Sequence, residues 1–171
     1  MQVGSSLKNV EVVKNRIRTM LSEEGFQIRE VKDANTHFNF VTVVGGVPYH
    51  VFQNINKRDS IFISGSFKIA SRQIGSYSKM EQTRKEEFYW NLRISLLTRQ
   101  ALGDFKIRPK PPEKIEEIFL SSKPVFYDGL TKEKFFSTLF EVHKCAIMIR
   151  WMFEEAVGAK SETSSLQLLF E

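Results

Sequence analysis

The sequence predicts an α+β domain in which a single antiparallel sheet is packed by an N-terminal, a central and a C-terminal helix. Residues 36–69 alternate like three consecutive strands, with Gly45-Gly46 at a tight hairpin turn between the first two. Three flanking segments repeat apolar residues at helical spacing. The 171 residues, 42% of them apolar, suffice for one domain with a sizeable core.

The N-terminal part begins with a helix predicted from Leu7 to Glu24 and ended by Gly25. Its apolar stripe consists of Val10, Val13, Ile17 and Leu21. The segment from Phe26 to Val31 then alternates like a short strand, and a polar turn leads into the three-stranded stretch.

Side-chain alternation gives the three-stranded stretch one apolar face and one mixed face. The apolar face has to be covered, and its members are Phe38, Phe40, Thr42, Val44, Val47, Tyr49, Val51, Ile61, Ile63, Phe67 and Ile69. An antiparallel sheet can leave the other face to water or to a partner. That mixed face includes His37, Asn39, Val41, His50, Phe52, Phe62 and Ser64. Gly65, inside the third strand, predicts a bulge or a close backbone approach.

The middle of the chain is predicted as a polar connection over 70–78, followed by a central helix over 79–102 with Gly103 as its stop. A short strand over 105–108 ends at a proline-rich segment. Residues 115–127 fit either one further strand interrupted by a proline or a short helix followed by a strand.

The C-terminal helix is predicted to start after Thr131, its N-cap, and to run to about Val157. Its main apolar seam consists of Phe135, Leu139, Val142, Ala146, Ile149, Phe153 and Ala156. If Phe140 and Phe153 both lie in the core, as this placement of the helix implies, replacing either by alanine costs roughly 3–5 kcal/mol.

The central and C-terminal helices carry a second apolar seam that the predicted sheet does not cover. Its members are Trp90, Ile94, Leu97, Phe136, Phe140, Ile147 and Trp151. A helix that is apolar on two sides has to be covered twice. We therefore expect these residues to pack against a further helix or against a second copy of the chain, which makes them candidates for a homodimer interface.

The chain is predicted to divide into one α+β domain over 1–158 and a tail over 159–171. The tail is a polar linker with a short apolar peptide at its end, and the candidate partner-binding residues are Leu166, Leu168, Leu169 and Phe170. Such a peptide usually frays or packs on its own domain. Its Gln-Leu-Leu-Phe run resembles sliding-clamp binding peptides, although it lacks the paired aromatic residues of one form and is one residue short of the other.

The residues predict no catalytic, metal or cofactor site. His37, His50 and His143 lack metal-ligand spacing, and the single Cys145 lies in an apolar helical segment where a structural thiol is expected. Of the three histidines, His50 is placed to pair with His37 or Asn39 on one face of the sheet.

The charge balance is mildly basic, with 25 basic and 20 acidic residues and a formal net charge of +5. It permits binding to nucleic acid without favouring it. The basic residues that would form a patch are Arg72, Lys79, Arg84, Lys85, Arg93, Arg99, Lys106, Arg108, Lys110 and Lys114. The apolar runs are too short to span a membrane, no signal-peptide pattern is present, and one cysteine favours a reducing compartment. We expect a cytoplasmic protein without a membrane partner.

The predicted element order is α-β-β-β-β-α-β-β-α over residues 6–157, with the Gly45-Gly46 hairpin, the helix through Phe88-Tyr89-Trp90 and the terminal helix over 135–153 as its landmarks. This layout resembles the class I type III secretion chaperone-like fold, shared with YbjN-like proteins and uncharacterised, mainly archaeal families. The resemblance implies a homodimer that binds extended segments of other proteins, and it implies no enzyme.

The leading functional hypothesis is therefore a non-enzymatic, chaperone-like, protein-binding module that forms a homodimer. A first alternative is an accessory protein of nucleic-acid metabolism that uses the basic residues and the terminal peptide. A second alternative is a small-molecule binder or enzyme with a pocket between sheet and helices, around His37, Tyr49 and His50.

Overall fold

The computed structural model describes residues 3–57 and 59–157, which form helices and strands in an α+β arrangement. In chain order the elements are α1 Val3–Glu23, β1 Arg29–Glu30, β2 Thr36–Val44, β3 Val47–Asn54, β4 Ser60–Lys68, α2 Ser71–Ser78, α3 Gln82–Leu97, β5 Leu102–Arg108, β6 Glu117–Ser122, β7 Val125–Phe126, a 3-10 turn Tyr127–Gly129 and α4 Lys132–Ala156. Within these residues the strands form one sheet in the order β1-β2-β3-β4-β6-β5, and β7 pairs with β4. Every pairing in it is antiparallel.

The β2–β3 hairpin turns where the sequence predicts. Gly45 and Gly46 both have positive φ, at 55° and 77°, which side-chain-bearing residues rarely adopt. Gly45 is also held close to α4, because a Cβ atom there would lie 2.7 Å from Cε1 of His143. Gly65 in β4 confirms the predicted close approach, since its Cβ would lie 2.9 Å from the Tyr49 ring.

The core lies on one face of the sheet. The apolar face predicted from alternation is buried there, and the apolar stripes of α1, α3 and α4 belong to the same cluster of buried residues. Its largest fully buried side chains are Tyr49, Tyr77, Phe40, Phe135, Phe153, Ile17, Leu21, Ile61, Ile63, Leu92, Leu96 and Ile115. The helices therefore cover this face, as the sequence predicts.

The central part of the chain differs from its prediction in two places. Residues Ser71–Ser78 form a helix where a polar connection is expected. Its Tyr77 is fully buried and donates its hydroxyl to the carbonyl oxygen of Pro112 at 2.6 Å, and Ile74 packs against the core beside it. Helix α3 ends at Leu97, short of the predicted end. Leu102 and Gly103 instead begin β5. A Cβ atom on Gly103 would lie 2.8 Å from the Ser122 carbonyl oxygen, so only glycine fits there without a shift.

The predicted strand over 26–31 is reduced to Arg29–Glu30. Phe26 turns away from the sheet and stacks on Phe136 of α4, with ring centroids 5.8 Å apart, so this part of the segment packs against a helix instead of pairing. Farther along, β6 and β7 confirm the interrupted strand over the alternative of a helix followed by a strand.

Helix α4 begins as the sequence predicts, because the Thr131 hydroxyl oxygen accepts a hydrogen bond from the Lys134 amide at 3.0 Å. Phe153 is fully buried, with 0% of its surface exposed. The expectation that Phe140 also lies in the core is wrong, since 40% of its surface is exposed. Phe140 instead stacks on the outer side of Phe136 at 6.0 Å.

Candidate functional site

Tyr49 and His143 form a polar pair on the core face of the sheet. The Tyr49 hydroxyl lies 2.9 Å from Nδ1 of His143, and the two rings meet edge to face. Burial raises the pKa of the Tyr49 phenol and lowers the pKa of the His143 imidazole, with Arg150 adding to the latter. Both groups are therefore uncharged near neutral pH. The pair fixes α4 against the β2–β3 hairpin.

His50 lies on the opposite face of β3 from Tyr49. Its Nδ1 is 3.0 Å from Oδ1 of Asn39, so the predicted pairing across the sheet forms with Asn39 and not with His37. Burial and the nearby Arg29 lower the pKa of His50, while Asp33 opposes them. The neutral His50 imidazole donates a hydrogen bond to the buried amide oxygen of Asn39, and the His50 ring is partly exposed. We interpret the two as a structural pair.

The three residues proposed to line a small-molecule pocket do not come together in the structure. Tyr49 and His50 point to opposite faces of the sheet, and His37 lies in a separate open groove of about 310 Å³ beside Asp33 and Phe38. A groove of about 460 Å³ lies between the α2–α3 junction and the end of α4, and Met80, Arg84 and Val157 line it.

Cys145 is buried in α4, as expected from the sequence. Burial raises the pKa of its thiol, which disfavours the reactive thiolate form. Among residues 3–57 and 59–157, no group of three or more histidine, cysteine, aspartate or glutamate side chains could hold a metal ion. No helix in the same ranges is both long and apolar enough to cross a membrane.

An apolar stripe runs along the outer side of α3. We call Trp90, Ile94 and Leu97 the α3 patch; all three are more than half exposed, Leu97 the most at 65%. The side chains that α3 buries, Phe88, Leu92 and Leu96, lie on the opposite side of the helix. Helical spacing in the sequence sets the α3 patch apart as a separate apolar side of this helix, and the structure has it so.

The α4 members of the predicted second seam divide between surface and interior. Trp151 and Phe140 are exposed, whereas Ile147 is half-buried and Phe136 packs against the core cluster. Met148 and Met152 occupy the side of α4 nearer α3, where Arg99 donates to the Met148 sulfur at 3.1 Å. Because Phe136 packs against the core of its own chain, it is less available for a contact with a second copy than Trp151 or Phe140.

The helices pack on the core face of the sheet, and we call its other face the open face. Asn39, Val41 and Ser64 on this face are buried, whereas His50, Phe52 and Phe62 are partly exposed. One row of cross-strand neighbours runs through all its principal strands and consists of Arg29, Val41, His50, Ser64, Ser121 and Asp104. A neighbouring row consists of Asn39, Phe52 and Phe62. Farther along lie the pairs Ser66–Phe119 and Phe119–Lys106, and Ser60 pairs with Phe126.

Aromatic rings mark this open face. Phe52 and Phe62 stack on each other with centroids 5.9 Å apart, and Phe126 is 50% exposed. Phe52, Phe62 and Phe119 are half-buried, yet none of them packs against the core cluster. Alternation in the sequence places Phe52 and Phe62 on the mixed face but does not distinguish them from the other residues of that face. The signal was the presence of large apolar residues on both faces of the same strands.

The basic residues do not form the single patch considered from the sequence. On α3, Arg93 lies over the Trp90 ring at 5.3 Å and Lys85 donates to the Ser78 carbonyl oxygen at 2.9 Å. Lys106 and Arg108 project instead from the open face of β5, opposite Phe119 and Glu117. The candidate tail residues Leu166, Leu168, Leu169 and Phe170 lie outside the described residues.

Comparison with known proteins gives a family and a structural relative. Residues 13–153 match a family described as an uncharacterized conserved protein, DUF2299. The crystal structure of an uncharacterized protein from Methanothermobacter thermautotrophicus is similar to this chain, with a TM-score of 0.77 and 26% identity. The match covers 85% of this chain and 99% of that one. No curated protein matches the chain.

Proposed function

The chain belongs to the DUF2299 family of uncharacterized conserved proteins, and we propose that it is a non-enzymatic, chaperone-like, protein-binding module that works as a homodimer. The observation that carries the proposal is the α3 patch, in which Trp90, Ile94 and Leu97 lie side by side and more than half exposed. Large side chains of this kind gain about 1.5–3 kcal/mol each on full burial, which favours covering them with a partner.

Charge along α3 supports a two-fold arrangement of the helices. Glu86 and Arg93 lie on the same outer side as Trp90, one before it and one after it. Two α3 helices that run antiparallel bring Glu86 of each copy towards Arg93 of the other, while Trp90 packs near the two-fold axis. Such an interface is self-complementary, as a symmetric homodimer requires.

The second part of the proposal is that the dimer holds an extended segment of another protein in a reducing, cytoplasmic compartment. Its support is the order of helices and strands, which resembles the type III secretion chaperone-like layout. A urea-unfolded test protein, diluted into buffer with the wild-type chain, should scatter less light than it does alone. Equal scattering with and without the chain would remove this part of the proposal.

The dimer is tested by sedimentation equilibrium over a wide range of protein concentrations. We expect the mass of two chains for the wild type and a shift towards one chain for Leu97→Lys. Val12→Lys is the matched control, because Val12 and Leu97 are both 65% exposed but lie on different helices. A wild-type mass of one chain at every concentration would refute the dimer.

A charge exchange separates the two-fold arrangement from other dimers. Glu86→Arg and Arg93→Glu should each weaken association, because each places like charges opposite one another in both halves of the interface. The double variant restores opposite charges and should regain most of the wild-type affinity. If the double variant is no better than the single ones, the antiparallel arrangement is wrong even where a dimer exists.

A further inference from the structure

We infer that the open face of the sheet is a binding surface for single-stranded nucleic acid, with the bases stacked on its phenylalanine rings. This surface is separate from the α3 patch, because the helices cover the other face of the sheet. The inference does not depend on the proposed homodimer.

The aromatic rings provide the first argument. Phe52 and Phe62 stack on each other with their planes 26° apart, and both remain partly exposed. Phe126 of β7 pairs with Ser60 of β4, two residues before Phe62, and is half exposed. Phe119 projects from β6 farther along the same face. Partly exposed rings on a sheet face that helices do not cover are the platform on which single-stranded bases stack.

Charge complementarity provides the second argument. The open face carries the basic side chains Arg29, Lys68, Lys106 and Arg108, at its two edges and between them. Asp104 and Glu117 lie on the same face, and Asp33 lies near His50. The Glu117 carboxylate accepts a hydrogen bond from Ser66. Basic groups at the rim with aromatic groups between them suit a chain of phosphates that carries planar bases.

The same charges argue against a second copy of this chain on the open face. Stacking two such faces would bury Lys106, Arg108 and Asp104 of both copies, and charged residues are depleted in the buried centre of protein interfaces. A polyanion leaves those cations paired. A duplex is a poorer fit than a single strand, because its bases are not free to stack on the rings.

The test is fluorescence anisotropy with a labelled single-stranded oligonucleotide of about 12 nucleotides, in RNA and DNA versions, on the full chain. Phe62→Leu and Phe126→Leu keep apolar bulk but remove the ring, and each should weaken binding by about 5- to 150-fold. Phe62→Tyr keeps the ring and should bind like the wild type. Lys106→Glu should weaken binding, whereas Lys144→Glu, an exposed lysine of α4, should not.

The wild-type affinity should also fall steeply with salt, as expected for displaced counterions. No binding at about 50 mM salt would overturn the inference. So would undiminished binding by Phe62→Leu, a duplex bound as tightly as the single strand, or displacement by polyglutamate at the same charge concentration. Leu97→Lys should bind the oligonucleotide with the same affinity per chain as the wild type. The outcome of the binding test is therefore independent of whether the homodimer forms. Thermal melts of all variants check that they are folded.

Discussion

Replacing Phe153 by alanine tests the way in which α4 closes the core. The ring is fully buried and lies 4.7 Å from the ring of Phe88 on α3 and 6.1 Å from that of Tyr77 on α2. One side chain therefore joins α2, α3 and α4, three of the helices that pack beside the sheet. Its removal leaves a cavity among elements that are distant in the sequence.

The expected loss is large. Truncating a buried phenylalanine costs roughly 3–5 kcal/mol, which includes the cavity left behind. For a chain of this size that loss lowers the melting temperature by roughly 6–20 °C. Phe140→Ala is the matched control on the same helix, because Phe140 is 40% exposed and stacks on Phe136 at the surface. We expect it to cost about 1 kcal/mol.

Urea denaturation of the wild type and both variants measures the two free energies directly, at one fixed and low protein concentration so that association adds little. The dependence on urea should be the same for all three proteins. A loss below about 1 kcal/mol for Phe153→Ala would refute the reasoning. An equal loss in the two variants would mean that α4 presents a different side to the core.

Two further predictions concern polar groups inside the fold. Among residues 3–57 and 59–157 the buried Thr42 hydroxyl has no hydrogen-bond partner. Thr42→Val should therefore raise the free energy of unfolding by about 1 kcal/mol in urea denaturation, while Thr42→Ser should lower it. The pKa values of His50 and His143 are lowered in the folded chain. Their contribution to the free energy of unfolding is therefore fully present above about pH 6.5 and is lost as the pH falls below it, because the unfolded chain then binds protons more readily. Thermal melts from about pH 8 to 5 should show a smaller decline for the double variant with glutamine at both positions.

Each of these predictions has a distinct contrary outcome. A Thr42→Val variant that is less stable than the wild type would show that the hydroxyl is satisfied in solution. An unchanged pH dependence in the double histidine variant would assign the whole decline to carboxylates. Because carboxylates also bind protons at low pH, the difference between variant and wild type is the quantity to be compared.

The parts of the fold that the sequence predicts correctly are those with strong periodicity. The Gly45-Gly46 hairpin follows from local backbone preference, and the seam of α4 repeats over so many turns that a helix is the one element it fits. Helix α2 escapes prediction because its composition is polar and its apolar contacts with the core come from Ile74 and Tyr77, too few to show a helical period. Leu102 ends the predicted central helix and Gly103 is its expected stop, yet pairing with β6 places both residues in β5.

The candidate surfaces show the same division between local and long-range information. The outer position of Trp90, Ile94 and Leu97 follows from helical spacing, which is local. The open face depends on which strands are neighbours, so the relation of Phe119 to Lys106 was inaccessible from alternation alone. The wrong placement of Phe140 in the core has the same origin. Which side of α4 is covered depends on how far the neighbouring elements extend along it, and that is not encoded in the spacing of its own residues.

The two proposed surfaces are compatible because they lie on different sides of one sheet. The buried residues of the helices and the apolar face of the sheet form a single cluster, so α3 lies on the helical side and the open face on the other. A dimer formed through the α3 patch would leave both open faces exposed and related by two-fold symmetry. A single strand long enough to reach both faces would then bind more tightly than one that reaches a single face, since the second contact is intramolecular. Leu97→Lys would abolish that gain while leaving the affinity of short strands unchanged, which distinguishes linked surfaces from independent ones.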